Sequence, residues 1–326
     1  MLESVAEVQD KIAAGKRLLL AAEERLLRQL PRGSWIAGTI PYFMDQGGGL
    51  HSESEIFVNE IPGYASAVEV REYTTSTLPS ICQDAPENGF SVIIMPAGSP
   101  VHIAYAQDFP RYRDAFLKPV VGWISGVNVP EIGKRQPKVF TGPFGQGSAQ
   151  NAVVMHVALP PEKQAEIDIV NVFQPGPGDT ITFAASGFSS EECRINSKPA
   201  NLARYITHSH IDSRLPLTAN YNGSIVNVSV QTVDEKAGLV KFYAPVFAGV
   251  EYRFARPVAD YVAAFSSALP ADGPAATFSC NCILNYLYAG LEGKHTGNLT
   301  GPITFGEIAH QLLNQTLVRL LIRDAK

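Results

Sequence analysis

Ser224-Ile225-Val226-Asn227-Val228-Ser229-Val230-Gln231 alternates without a break. Val226, Val228 and Val230 fall on one side, and Ile225, Asn227, Ser229 and Gln231 on the other. Successive side chains of an extended chain point to opposite faces, so this pattern is a strand with one face buried. A second apolar run at 239–244 follows across a turn at 234–238 that contains Asp234 and Gly238. Two strands joined that closely form a hairpin, which is antiparallel by construction.

The same style extends in both directions. Runs rich in β-branched or aromatic residues at 35–40, 55–61, 67–73, 91–95, 101–105, 120–124, 152–157, 167–173 and 180–184 read as strands. So do 192–195, 276–279 and 316–322. Helical spacing is confined to a few stretches. Val5, Val8, Ile12, Leu19, Leu26, Leu27 and Leu30 give helix over 2–30, with Gly15 ending a first helix or kinking a long one. Residues 199–206, 257–268 and 282–290 complete the helices. Many short strands with few helices imply an α+β fold, with predominantly antiparallel or mixed sheets flanked by helices, in two related halves. The expected division is a helical segment at 1–33, an α/β domain at 34–187 and a second at 188–326. Asp45-Gln46-Gly47-Gly48-Gly49 reads as a mobile loop, because glycine loses the most backbone entropy on ordering. Pro175-Gly176-Pro177-Gly178-Asp179 reads as tight turns near the domain boundary.

Composition narrows the function. The net charge of −5 comes without a cluster of lysine and arginine, so there is no footprint for a nucleic-acid backbone. The longest apolar runs, at 18–22 and 278–291, are too short or too interrupted to span a membrane. Met1-Leu2-Glu3-Ser4 places an acid where a secretory leader carries a base, which points to a cytoplasmic protein. On that reading the sequons at Asn222, Asn227, Asn298 and Asn314 are chance occurrences. The four cysteines, Cys82, Cys193, Cys280 and Cys282, are too few for a disulfide scaffold and are expected as buried thiols.

Two stretches carry chemistry. Thr207-His208-Ser209-His210-Ile211-Asp212-Ser213 resembles the T-H-x-H-x-D-H motif of metallo-β-lactamase-fold hydrolases, with serine at the final histidine. In an extended chain His208 and His210 share a face, as metal ligands would, and Asp212 would join them. The alternative is a pair of surface histidines on a loop. Cys280 precedes a helical stretch, where a helix N-terminus would favour a thiolate. Gly142-Pro143-Phe144-Gly145-Gln146-Gly147 lacks the spacing of a dinucleotide loop. Phosphate-loop, G-x-S-x-G, H-E-x-x-H and S-x-x-K patterns are missing, which favours a binding protein over an enzyme and implies no cofactor.

Thr277-Phe278-Ser279-Cys280, then Gly301-Pro302-Ile303-Thr304-Phe305-Gly306-Glu307-Ile308, then Leu313-Asn314-Gln315-Thr316-Leu317 follow one another in the last third. This order resembles the end of the FIST C-terminal domain. Ile195-Asn196-Ser197-Lys198-Pro199-Ala200 and Tyr205 are similar to its opening strand, turn and Pro-Ala helix. Gly38-Thr39-Ile40 and Gly122-Trp123-Ile124-Ser125-Gly126 resemble glycine-rich strand ends of the FIST N-terminal domain. The chain departs from the family pattern where an arginine commonly follows Ser-Cys; here Asn281, Cys282 and Ile283 stand. The resemblance implies a non-catalytic sensory module that binds a small ligand, amino acids among the candidates, and signals through a separate protein partner. It implies a pocket at Cys280, Thr304, Gly306, Glu307 and Asn314. Thr304 and Glu307 also fit a helix-capping box, with a helix starting at Ile308.

Overall fold

The structure is a computed structural model, and it describes residues 1–145, 147–221, 224–269 and 275–325. Gln146 of the glycine loop and the Asn222 sequon lie outside the described residues. The fold is α+β, with mixed and antiparallel sheets accompanied by short helices. Among the described residues no helix is long and apolar enough to cross a membrane.

Two compact units divide the chain. The first comprises Met1–Val170, Leu269–Leu312 and Leu317–Lys326; the second comprises Asn171–Ala268 and Leu313–Thr316. The units are thus not consecutive segments, because the chain leaves the first unit after Val170, returns to it at Leu269, and passes through the second unit once more at Leu313–Thr316 before its last strand.

Among the described residues the first unit contains three six-stranded sheets. One is built on Leu18–Ala22, which runs parallel to Trp35–Thr39 and antiparallel to Ile56–Glu60. Another pairs Gly89–Pro96 in parallel with Val120–Ser125, joined by the helix Pro100–Asp108. Ala152–Ala158 extends this sheet on one side and Ala67–Tyr73 is its last strand; Glu307–Ala309 flanks the other side. The third sheet places Phe278–Cys282 between Leu317–Asp324 and Gly301–Thr304, and continues to the hairpin Tyr42–Asp45/Gly48–His51. The second unit packs a six-stranded and a three-stranded sheet around Phe183, Leu217, Phe242, Val246 and Tyr252, with the helix Leu202–His208 contributing Leu202 and Ile206.

Several elements differ from the sequence reading, each for a physical reason. The 1–33 stretch is not a helical segment: helix is limited to Val5–Ala13 and Glu24–Leu27, with the strand Leu18–Ala22 between. That strand is buried on both faces, so it shows no alternation and its leucines imitate helical spacing. Gly15, at φ +72°, closes the first helix. Its start is a capping box: the Glu7 N–H donates to Ser4 Oγ and the Ser4 N–H donates to Glu7 Oε2. Ser4→Ala is expected to lower stability by about 1 kcal/mol in urea unfolding.

The β-branched run at 101–105 lies in a helix, because Ser99 caps it and Pro100 takes the first position, where its missing N–H is harmless. The supposed mobile loop at 45–49 is a tight hairpin end. Gly48 has φ +102°, and a Cβ on Gly49 would fall 2.4 Å from the Leu291 carbonyl oxygen, so the glycines serve close packing. Residues 198–201 form a strand, and Asn201 caps the helix that follows. The opening stretch at 224–231 divides into Ser224–Val228 and Val230–Asp234. The break is anchored at Ser229, whose Oγ donates to Gln315 Oε1 at 2.7 Å. The hairpin with Leu239–Val246 holds.

Candidate functional site

Of the residues expected to line a pocket in the last third, Cys280, Thr304, Gly306 and Glu307 come together in the interior of the first unit, whereas Asn314 does not join them. Cys280 sits in the middle of a strand, not at a helix start, and its thiol donates to the Gly122 carbonyl at 3.4 Å. Burial, with the carboxyl of Glu307 nearby, pushes that thiol well above its usual range, the reverse of an activated thiolate. Thr304 ends one strand and Glu307 begins another, so they do not form a capping box and no helix starts at Ile308. The Thr304 hydroxyl is shared between the carbonyls of Asn281 (3.3 Å) and Gly306 (3.1 Å). Glu307 is fully buried, in register with Trp123. A Cβ on Gly301 would lie 2.0 Å from the Ser279 carbonyl oxygen, so backbone fills the space that glycine leaves. Asn314 belongs to the second unit, where it accepts from the Ser229 N–H. Asn314 and Asn227 are buried, which removes both sequons from any surface role. All four cysteines are free and buried.

The histidine motif does not adopt the extended geometry a metal pair needs. His208 is the last residue of the helix Leu202–His208, and its Nε2 lies 3.2 Å from Glu235 Oε1. His210 has a left-handed backbone, φ +53°. The Asp212 carboxylate takes the Arg214 guanidinium through Nε at 3.0 Å and Nη2 at 2.7 Å, which holds its carboxyl below the usual range. Among the described residues no group of three His, Cys, Asp or Glu could hold a metal ion.

The motif does border a recess of about 500 Å³ in the second unit. Three segments distant in sequence build it: the Pro-Gly-Pro-Gly-Asp turn, the end of the Leu202–His208 helix with the residues after it, and 254–257. The turn is pinned from below, since the Gly176 N–H donates to the Phe254 carbonyl at 2.9 Å and Arg256 Nε donates to the Pro175 carbonyl at 3.0 Å. Asp179 is oriented by the Tyr205 hydroxyl (2.9 Å) and the Asn196 amide (2.7 Å). Burial and the Asp179 carboxylate push the Tyr205 phenol up to about 12, so it remains a donor at neutral pH. Ile211, Leu215 and Phe254 supply apolar wall, with Asp179, His210 and Arg256 among the polar lining.

A family model described as "Family of unknown function (DUF6976)" matches residues 3–323. The chain belongs to that family. The match runs through both compact units, so the recess and the buried junction lie within the DUF6976 match. No curated protein and no solved structure matches the chain.

Sequence reasoning missed Asp179, Tyr205 and Arg256 as a set. The turn and the histidine motif were each legible as unusual, but nothing in one dimension shows that they adjoin. It also missed a buried relay in the first unit. Ser91 Oγ lies 2.7 Å from His156 Nδ1, His156 Nε2 lies 2.8 Å from the Tyr73 hydroxyl, and that hydroxyl donates to Asp84 at 3.0 Å. Ser91 is wholly buried, so this nucleophile–base pair is sealed from substrate and acts as a polar brace.

Proposed function

We propose that this DUF6976 protein is a non-catalytic, cytoplasmic binding protein that takes a small zwitterion of the amino-acid type in the recess of its second unit. Occupancy would be passed to a separate protein partner, as the resemblance to FIST sensory domains implies. The observation that carries this reading is the lining of the recess. An oriented carboxylate, Asp179, and a guanidinium, Arg256, border the same space as an apolar wall of Ile211, Leu215 and Phe254. A carboxylate receives an ammonium and a guanidinium receives a carboxylate, while the wall takes a side chain. The expected ligand pocket therefore moves from the buried Cys280–Glu307 junction to a place open to solvent.

A thermal-shift screen of the common amino acids against the full chain tests this. A ligand at a hundred times its Kd adds about 2.7 kcal/mol of stability by mass action. Arg256→Gln is expected to weaken binding roughly tenfold or more, since it removes one charged partner of the ligand carboxylate. Asp179→Asn should do the same for the ammonium, with the unliganded melting point as a check on the fold. A screen in which no amino acid shifts the melting point would overturn the proposal. So would a shift that both variants leave unchanged.

A further inference from the structure

We propose that two copies of this chain pair through the edge strand Ala67–Tyr73, joining two six-stranded sheets across a two-fold axis. This concerns the first unit and is independent of the recess. The strand is the last of its sheet, laddered to Ala152–Ala158 on one side only. Among the described residues, no backbone hydrogen bond from outside that ladder reaches residues 67–73. An open groove of about 770 Å³ runs beside it, lined by Glu69, Val70, Arg71 and Glu72 together with Phe144 and Ser148. An unpaired edge is a template for another strand.

The occupant is named by charge. Ala67-Val68-Glu69-Val70-Arg71-Glu72-Tyr73 is self-complementary when two copies run antiparallel about Val70. In that register Glu69 faces the second copy's Arg71, and Arg71 faces the second copy's Glu69. Both side chains are substantially exposed, at 56% and 38%. Opposite charges directly across an antiparallel pair are favourable and like charges are not. A shift to the symmetric register about Glu69 would set Glu69 against itself, and a shift to Arg71 would set Arg71 against itself. The sequence thus selects one register and penalises its neighbours. Within one copy Arg71 already donates from Nε to Glu69 Oε1 at 2.6 Å and pairs with Asp84 Oδ1 at 2.8 Å, so the two copies would bring together two preformed Glu69–Arg71 pairs in a network of alternating charge, with little further side-chain entropy to lose. The interface is isologous, as a closed dimer requires.

Sedimentation equilibrium over a concentration series tests the pairing. The wild-type mass is expected to rise from 35.2 kDa toward twice that value. Val70→Lys sets two ammonium groups against each other on the axis and should weaken association at least roughly tenfold. Its melting point and circular dichroism report whether the fold is kept. Glu69→Arg and Arg71→Glu should each be monomeric alone, while an equimolar mixture of the two should recover dimer mass. A wild-type chain that stays monomeric at every concentration would overturn the proposal, including one that captures a foreign peptide instead. A dimer that survives Val70→Lys would overturn it as well, by placing the interface elsewhere. Should Arg71→Glu fail to fold beside Asp84, the Val70→Lys comparison still decides.

Discussion

Lowering the pH from 7.5 to 4.5 is expected to remove about 5 kcal/mol of unfolding free energy, most of it through two buried histidines. His102 accepts the Gly98 N–H at 3.0 Å, and burial pushes its pKa down to about 4. His156 lies between Ser91 and Tyr73, and burial, aided by the charge of Arg71, brings it to about 4 as well. Above the ordinary histidine value both rings are neutral folded or unfolded, so neither contributes a pH dependence. Below that value the unfolded chain binds a proton at each ring and the folded chain does not. Stability therefore falls as the pH drops, and the loss is complete near pH 4, where the folded rings protonate too. His310, also lowered by burial, adds to the same trend. Asp84 and Asp212 are held below the usual carboxylate range, so their stabilising contribution is lost only at still lower pH, in a separate window. Urea unfolding at several pH values measures the slope. His156→Gln keeps hydrogen bonding without titrating, and should reduce the slope between pH 6 and 4.5 by about half. An unfolding free energy that stays flat from pH 7.5 to 4.5 would contradict this account.

Much of the strand content was legible, from alternation where one face is exposed, as in Ala67–Tyr73, and from β-branched runs where both faces are buried, as in Ala152–Ala158. Residues 67–73, 152–157 and 192–195 were placed within a residue or two of Ala67–Tyr73, Ala152–Ala158 and Glu192–Ile195. The failures fall where a strand lacks both alternation and β-branched residues, or where capping overrides propensity. Leu18–Ala22 has no polar face to mark it as a strand. Pro100–Asp108 is helical against the β-propensity of its valine, isoleucine and tyrosine, because Ser99 and Pro100 set its first turn. The Ser4–Glu7 capping box was present and real, whereas Thr304 and Glu307 matched the same spacing by coincidence. A four-residue motif does not say whether its ends lie on a helix or on two strands. For the site, Thr207–Asp212 and Pro175–Asp179 stood out singly. Their meeting with Arg256 depends on tertiary packing, which no spacing along the chain encodes.

Two glycine substitutions separate the buried junction from the recess. Gly301→Ala is expected to destabilise the protein by about 3 kcal/mol or more, or to prevent folding. The new methyl would meet the Ser279 carbonyl oxygen at 2.0 Å and its carbon at 2.8 Å. Those atoms belong to the backbone of the neighbouring parallel strand, which is itself paired with Leu317–Asp324, so they cannot swing aside as a side-chain tip would. Gly178→Ala offers the opposite case. Nothing lies within 4 Å of its added Cβ, yet Gly178 lines the recess. Its unfolding free energy should stay within about 0.5 kcal/mol of wild type. The added methyl nevertheless narrows the space where a ligand would sit, so any amino acid that stabilises the wild type should bind this variant more weakly. A tolerated Gly301→Ala that weakened ligand binding would return the binding site to the Cys280–Glu307 junction. A destabilised Gly301→Ala beside a stable, binding-impaired Gly178→Ala would assign the junction to the core and the recess to the ligand.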